Sequence, residues 1–258
     1  MPEPSTPFPL GEYLIHHLQD SHEWHLPFLP PIELPPQLSL HGLMMVITSG
    51  LLIVLFCLIY KKNDRVPHGM TNFLEMIVLF IRNEICVASL GEEDGKKMAP
   101  LFCTFFFFIL GLNLLGMIPI FATATANFNV TGALAAVTLT LMIFGTILKN
   151  GPVGFVKSLI PGGVPWPVLI ILIPLEFFGL FFKPLALMIR LFANMLAGHV
   201  VILSLLGLIV LLGYFMLPFM LPLAVCISIM EVFVSCLQAY IFTLLSAVFI
   251  GQMYHPQH

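Results

Sequence analysis

The chain has 258 residues, 59% hydrophobic and 9% charged, with a mean hydropathy of +1.02. Soluble domains carry about 25% charged residues, so the composition excludes one and predicts a multi-span integral membrane protein. The net charge of −3 says less than the positions of the charges, and no nucleic-acid partner is expected.

Of the ten Lys and Arg residues, none lies in residues 1–41. Three polar segments hold eight of them: Lys61, Lys62 and Arg65; Arg82, Lys96 and Lys97; Lys149 and Lys157. The positive-inside rule places these segments on the cytoplasmic or matrix side and the N-terminal tail outside. That tail has no basic stretch leading into an apolar run, so it does not read as a cleaved signal peptide. The five cysteines (Cys57, Cys86, Cys103, Cys226, Cys236) lie in apolar sequence without CxxC or metal-ligand spacing. They read as small packing residues.

In chain order, residues 1–41 form a polar tail rich in Pro and His, irregular up to His41. Its histidines (His16, His17, His22, His25, His41) are unevenly spaced and read as surface polarity. A first span over about Gly42–Tyr60 stops at Lys61-Lys-Asn-Asp-Arg65. Residues 70–90 are apolar but contain Glu75, Arg82, Asn83 and Glu84, which predicts an amphipathic helix lying at the interface. Gly91–Lys97 reads as a solvated turn, and Ala99–Phe121 as the second span, carrying Asn113. A small-residue stretch, Thr123–Thr131, leads to a third span over Gly132–Leu148. Lys149–Pro165, rich in Gly and Pro, reads as a connector. Two long apolar arms follow, about Pro167–Leu212 and Pro218–Gly251, with a tight turn at Gly213–Pro222.

At 1.5 Å per residue the second arm is roughly 50 Å long, against a hydrocarbon core of about 30 Å. Steep tilt, with kinks at Pro174 and Pro184, accommodates both arms. The expected fold is therefore all-α and membrane-embedded. It has five transmembrane helices plus one interfacial amphipathic helix, the last two spans forming a long, steeply tilted hairpin. Five crossings from an outside N-terminus leave the C-terminus inside, and every basic segment agrees with its side.

The hairpin carries Glu176, Lys183, Arg190, Asn194, His199, Glu231 and Gln238. A guanidinium stays charged at any relevant pH, and one at mid-membrane costs about 2.5–3.5 kcal/mol on the lenient insertion scale. In an antiparallel hairpin turning near Met216, level residues have position numbers totalling about 430. His199 with Glu231 and Arg190 with Gln238 both meet this rule to within about two. Glu176 lies roughly 21 Å from Arg190 towards the inner side, and His199 about 13 Å beyond it towards the outer side. A permanent cation thus separates two titratable clusters, as in two half-pathways divided by a charge barrier.

Helical angle puts Glu176, Lys183, Arg190 and Asn194 on one face and His199 roughly opposite. On straight helices both level pairs cannot touch, so curvature, crossing or water must help. Lys183 pairs with Glu176 or snorkels. Asn194 and Gln238 serve as pathway groups or interhelical glue, and Asn113 as packing or pathway. Neither membrane acid, Glu176 or Glu231, is at Arg190's depth, so its anion is expected on another subunit.

These residues resemble subunit a of the F-type ATP synthases. The resemblance rests on Lys183-Pro-Leu-Ala-Leu-Met-Ile-Arg190-Leu-Phe-Ala-Asn194-Met-Leu-Ala-Gly-His199 and on Glu231-Val-Phe-Val-Ser-Cys-Leu-Gln238-Ala-Tyr. Gly111-Leu-Asn113-Leu-Leu-Gly-Met-Ile-Pro119, with Thr125, Asn127 and Thr131, adds to it. It covers about residues 40–251 and leaves out the tail, so 1–41 is an extracytoplasmic tail and 42–258 the membrane domain.

The resemblance implies that Arg190 faces an essential carboxylate on a rotating ring of c subunits. It implies that His199 and Glu231 serve the outer half-channel, Glu176 the inner one, and that Gln238 stands level with the arginine. It further implies b-type peripheral stalk subunits, the rest of the F-type ATP synthase and the lipid bilayer as partners. A bacterial plasma (inner) membrane is favoured over a mitochondrial inner membrane. No phosphate-binding loop is present, so a non-catalytic proton-conducting subunit without cofactor or metal is expected. A sodium-coupled version is the nearest alternative. A self-contained secondary transporter would need repeated halves and an internal counter-ion for Arg190, and neither is evident.

Overall fold

The computed structural model describes residues 23–24, 32–33, 35, 39–59, 69–118, 121–160 and 165–255. The tail expectation, including His16, His17, His22 and His25, falls almost wholly outside them, as do Lys61, Lys62 and Arg65. What is described there is a short antiparallel pair, β1 (Glu23–Trp24) and β2 (Ile32–Glu33), where irregular chain was expected. The rest is helical.

Helix α1 spans Leu40–Ile59. Most of its side chains face outward, but His41, Met44 and Thr48 are buried. Their spacing of three and four puts them on one stripe, which packs on the second span. Helix α2 runs through Met70–Phe80, a π-helical stretch Ile81–Val87, and Ala88–Leu90. It is not among the five helices long and apolar enough to cross a membrane. Ile81, Ile85, Cys86 and Leu90 are buried while Glu75, Arg82 and Glu84 are exposed, as an amphipathic helix requires.

Helix α3, Glu92–Gly116, begins where a solvated turn was expected. The turn reduces to Gly91, whose φ of 83° suits only glycine at low cost. Glu92, Glu93 and Asp94 then occupy the first helical turn, where carboxylates favour the helix dipole. Asn127 caps the next helix, its Oδ1 accepting from the Asn129 amide at 2.8 Å.

That helix, α4, runs Phe128–Thr140, a π-helical stretch Leu141–Gly145, and Thr146–Ser158. The connector expected at Lys149–Pro165 is therefore helical as far as Ser158. Gly151 (φ 74°, ψ 170°) makes the break, and Pro152 is well placed to start a new helical turn. Glycine and proline here mark a kink, not a loop.

The hairpin is α5, Trp166–Leu212 (47 residues), and α6, Leu217–Tyr254 (38 residues). Both are uninterrupted, and Pro174 and Pro184 lie inside α5. At 1.5 Å per residue they measure about 70 and 57 Å, so neither fits a core of about 30 Å upright. The turn between them occupies Gly213–Met216, close to the centre that the level-pair rule assumes.

Buried positions on α6 recur every three or four residues: Glu231, Ser235, Gln238, Phe242, Ser246 and Ile250. Small and polar residues on this stripe let α3 and α4 approach closely, as membrane helices do when lipid removes the hydrophobic drive. At the end of the bundle opposite the hairpin turn, Lys149 pairs with Asp94. His255 Nε2 lies 3.2 Å from Asp94 and 2.9 Å from the Leu90 carbonyl. Lys96, Lys149 and the C-terminal end of α6 thus share one end of the bundle, as five crossings demand.

Candidate functional site

Arg190 lies on α5 at the edge of the stripe formed by Leu187, Leu191 and Met195, which are buried. Its own side chain is exposed, and exposed apolar residues lie on both arms, among them Ile189 of α5 and Phe233 and Leu237 of α6. Among the described residues, none forms a hydrogen bond or ion pair with it. Asn194, one turn on, is half-buried. Gln238 is 4% exposed and its Nε2 has no hydrogen-bond partner. Arg190 and Gln238 are not bonded to each other.

Towards the hairpin turn, His199 and Glu231 come together: Nε2 lies 3.9 Å from Oε1. Helical angles alone argued against this approach. Gly198 supplies the missing space, because a Cβ there would fall 2.8 Å from Glu231 Cδ, well inside van der Waals contact. Glu231 is 5% exposed, and neither carboxylate oxygen has a hydrogen-bond partner.

His199 Nε2 is also 2.6 Å from the Thr123 hydroxyl. That hydroxyl donates to the Gly116 carbonyl at 3.1 Å, so its lone pair accepts from His199 Nε2–H. The contact with Thr123 orients the imidazole. Beside the pair lies a cavity of about 230 Å³, lined by His41, Thr123, His199, Ser228 and Glu231 together with apolar residues of α5.

Away from the turn, Lys183 Nζ lies 3.7 Å from Glu176 Oε2 and donates to Gln252 Oε1 at 3.4 Å. Lys183 is thus paired with Glu176. A second cavity, of about 620 Å³, is lined by Glu176, Lys183, Ser158, Gln252 and His255. The two cavities share no lining residue. On α5 their nearest lining residues are Lys183 and His199, on α6 Glu231 and Val248. Arg190 and Gln238 fall in that interval.

A family model described as ATP synthase A chain matches residues 42–251. The chain belongs to the ATP synthase A chain family. It is 49% identical over 215 residues to the ATP synthase subunit a of Anaeromyxobacter dehalogenans (strain 2CP-C), covering 82% of this chain and 56% of that one. It is 44% identical over 261 residues to that of Chloroherpeton thalassium, covering 95% and 77%. With that of Myxococcus xanthus it shares 41% over 258 residues, covering 91% and 84%. The chain spans little more than half the length of the Anaeromyxobacter proteins that it matches.

Glu176, Lys183, Arg190, Asn194, His199, Glu231 and Gln238 all lie in the stretch matched to the ATP synthase A chain family, and so does Asn113. Asn113 is fully buried with both amide atoms lacking a hydrogen-bond partner, as is the Thr125 hydroxyl. Asn113 lines neither cavity. Sequence reasoning missed three contributors. Thr123 was legible only as a small polar residue in a turn, and Gly198 only as a helix-interior glycine beside a histidine. His41 was read as surface polarity, yet it is 5% exposed. Its spacing from Met44 and Thr48 on an inward stripe was the available signal.

Proposed function

We propose that this chain is the proton-conducting stator subunit of an F-type ATP synthase, working against a ring of c subunits. The observation that carries the reading is the pair of separate cavities with Arg190 between them along the hairpin, exposed and without an anionic partner among the described residues. The turn-side cavity is the outer half-channel, reached from outside a bacterial plasma membrane. The other is the inner half-channel.

Protons arriving from outside pass through His199 and Glu231 to a carboxylate on the ring. After rotation, a protonated ring carboxylate releases its proton towards Glu176. Arg190 then attracts the bare carboxylate, and its fixed charge repels any proton crossing directly between the half-channels. Asn194 and Gln238 supply hydrogen-bonding positions at the arginine's depth, and Asn113 a buried one on α3. Lys183 holds Glu176 at the cavity wall. No bond other than those to protons changes in this chain, so it is a conducting, non-catalytic subunit. The b-type stalk subunits hold it against the ring's torque.

That no described residue pairs with Arg190 also speaks against a self-contained transporter, whose intramembrane charge would be balanced internally. The test is Arg190→Ala in the assembled complex. Loss of proton-driven ATP synthesis with normal assembly is expected, whereas coupled synthesis at the ordinary rate would overturn the reading. In the same membranes Glu231→Gln is expected to slow passive proton flow by on the order of 100-fold.

A further inference from the structure

We infer that His41 is a proton-relay residue at the mouth of the turn-side cavity, handing protons from outer water to the His199/Glu231 pair; the inference rests on the half-channel reading above. His41 stands at the start of α1, a helix otherwise turned largely outward. Only its His41–Met44–Thr48 stripe is fully buried, and its outermost member is the ionisable one. Met44 packs with Leu112, Ala124 and Val130, while His41 lines the cavity that contains His199 and Glu231. These three are the titratable groups lining that cavity.

The environment of the ring suits transfer better than packing. Asn127 Nδ2 lies 3.4 Å from His41 Nδ1. The amide cannot turn over freely, because its Oδ1 accepts from the Asn129 amide at the start of α4. Asn127 therefore presents N–H to the ring, and Nδ1 accepts. The proton of the neutral ring sits on Nε2.

A proton taken up at Nδ1 displaces the Asn127 amide and gives an imidazolium. Loss of the Nε2 proton to cavity water returns a neutral ring, and one proton has moved inward. Rotation of the ring, or exchange of its tautomers, restores the starting state.

The test uses the whole ATP synthase in vesicles, with passive proton flow normalised to assembled complex. His41→Ala is expected to lower the flow about tenfold or more, and imidazole added on the outer side to restore much of it. His41→Gln, which keeps a polar group near Asn127, is expected to lower the flow similarly. Wild-type flow in His41→Gln would overturn the inference. So would a loss in His41→Ala that imidazole leaves uncorrected, since that points to packing. Glu231→Gln in parallel separates the two readings. If it slows the flow while the His41 variants do not, only the relay falls; if it too conducts normally, the half-channel assignment falls with it.

Discussion

Glu231 is buried with both oxygens unbonded, and it fits only because Gly198 has no side chain. Gly198→Ala is accordingly expected to push the carboxylate out of line with His199. A displacement of this kind costs on the order of 100-fold in positioned transfers, so passive proton flow should fall by at least about tenfold with assembly intact. Unchanged flow in an assembled Gly198→Ala complex would show that the close approach is incidental. The depth of the His199–Glu231 pair was legible in the sequence, because rise per residue and one turn fix it. Their contact was not, because it depends on an absent Cβ at Gly198 and on Thr123 in the segment between α3 and α4.

Cys86 gives a residue-scale prediction outside the membrane spans. Burial, with a smaller contribution from the neighbouring Cys103, pushes its thiol up to about 12. An ordinary exposed thiol ionises near 8.5. At about pH 8 the Cys86 thiolate is therefore scarcer by on the order of a thousandfold. In a variant keeping Cys86 alone, maleimide labelling should be slower than that of an exposed cysteine by a comparable factor. Rapid labelling would contradict its burial against α3.

At the scale of elements, the far end of α6 is clamped by three helices. Gly251 lies against the Ser89 backbone, where a Cβ would fall 2.9 Å from the carbonyl carbon. Asn150 Nδ2 donates to the Tyr254 carbonyl at 3.1 Å, and Asp94 holds both Lys149 and His255. Gly251→Val should unseat this end, seen as faster amide exchange across residues 246–255. Asp94→Asn should do so more mildly, because a part-exposed ion pair is worth about 1 kcal/mol or less. Equal exchange in both variants and the parent would show that the clamp carries no load.

The sequence made the two arms and α1 readable, since long apolar runs admit few alternatives. It misplaced the α4 connector because Gly and Pro mark kinks and loops alike. It placed the start of α3 late because Glu92, Glu93 and Asp94 read equally as solvated loop and as first turn.

At the scale of the whole molecule, both arms exceed the thickness of a bilayer by tens of ångströms, so they must lie obliquely across it. Arg190 is then carried on an exposed face of the hairpin, and along α5 its position falls between the residues that line the two cavities. The sequence sets the order Glu176, Arg190, His199 along the first arm. It did not foretell that the clusters would border separate cavities, because a cavity is made by what α1, α3 and α4 leave unfilled.

Sidedness of the two cavities tests the central claim most directly. In assembled complexes otherwise lacking cysteine, Ile202→Cys reports on the turn-side cavity and Ser158→Cys on the other. A membrane-impermeant thiol reagent applied to one face at a time should label Ile202→Cys only from outside and Ser158→Cys only from inside. Labelling of both positions from the same face would contradict two half-channels divided at Arg190.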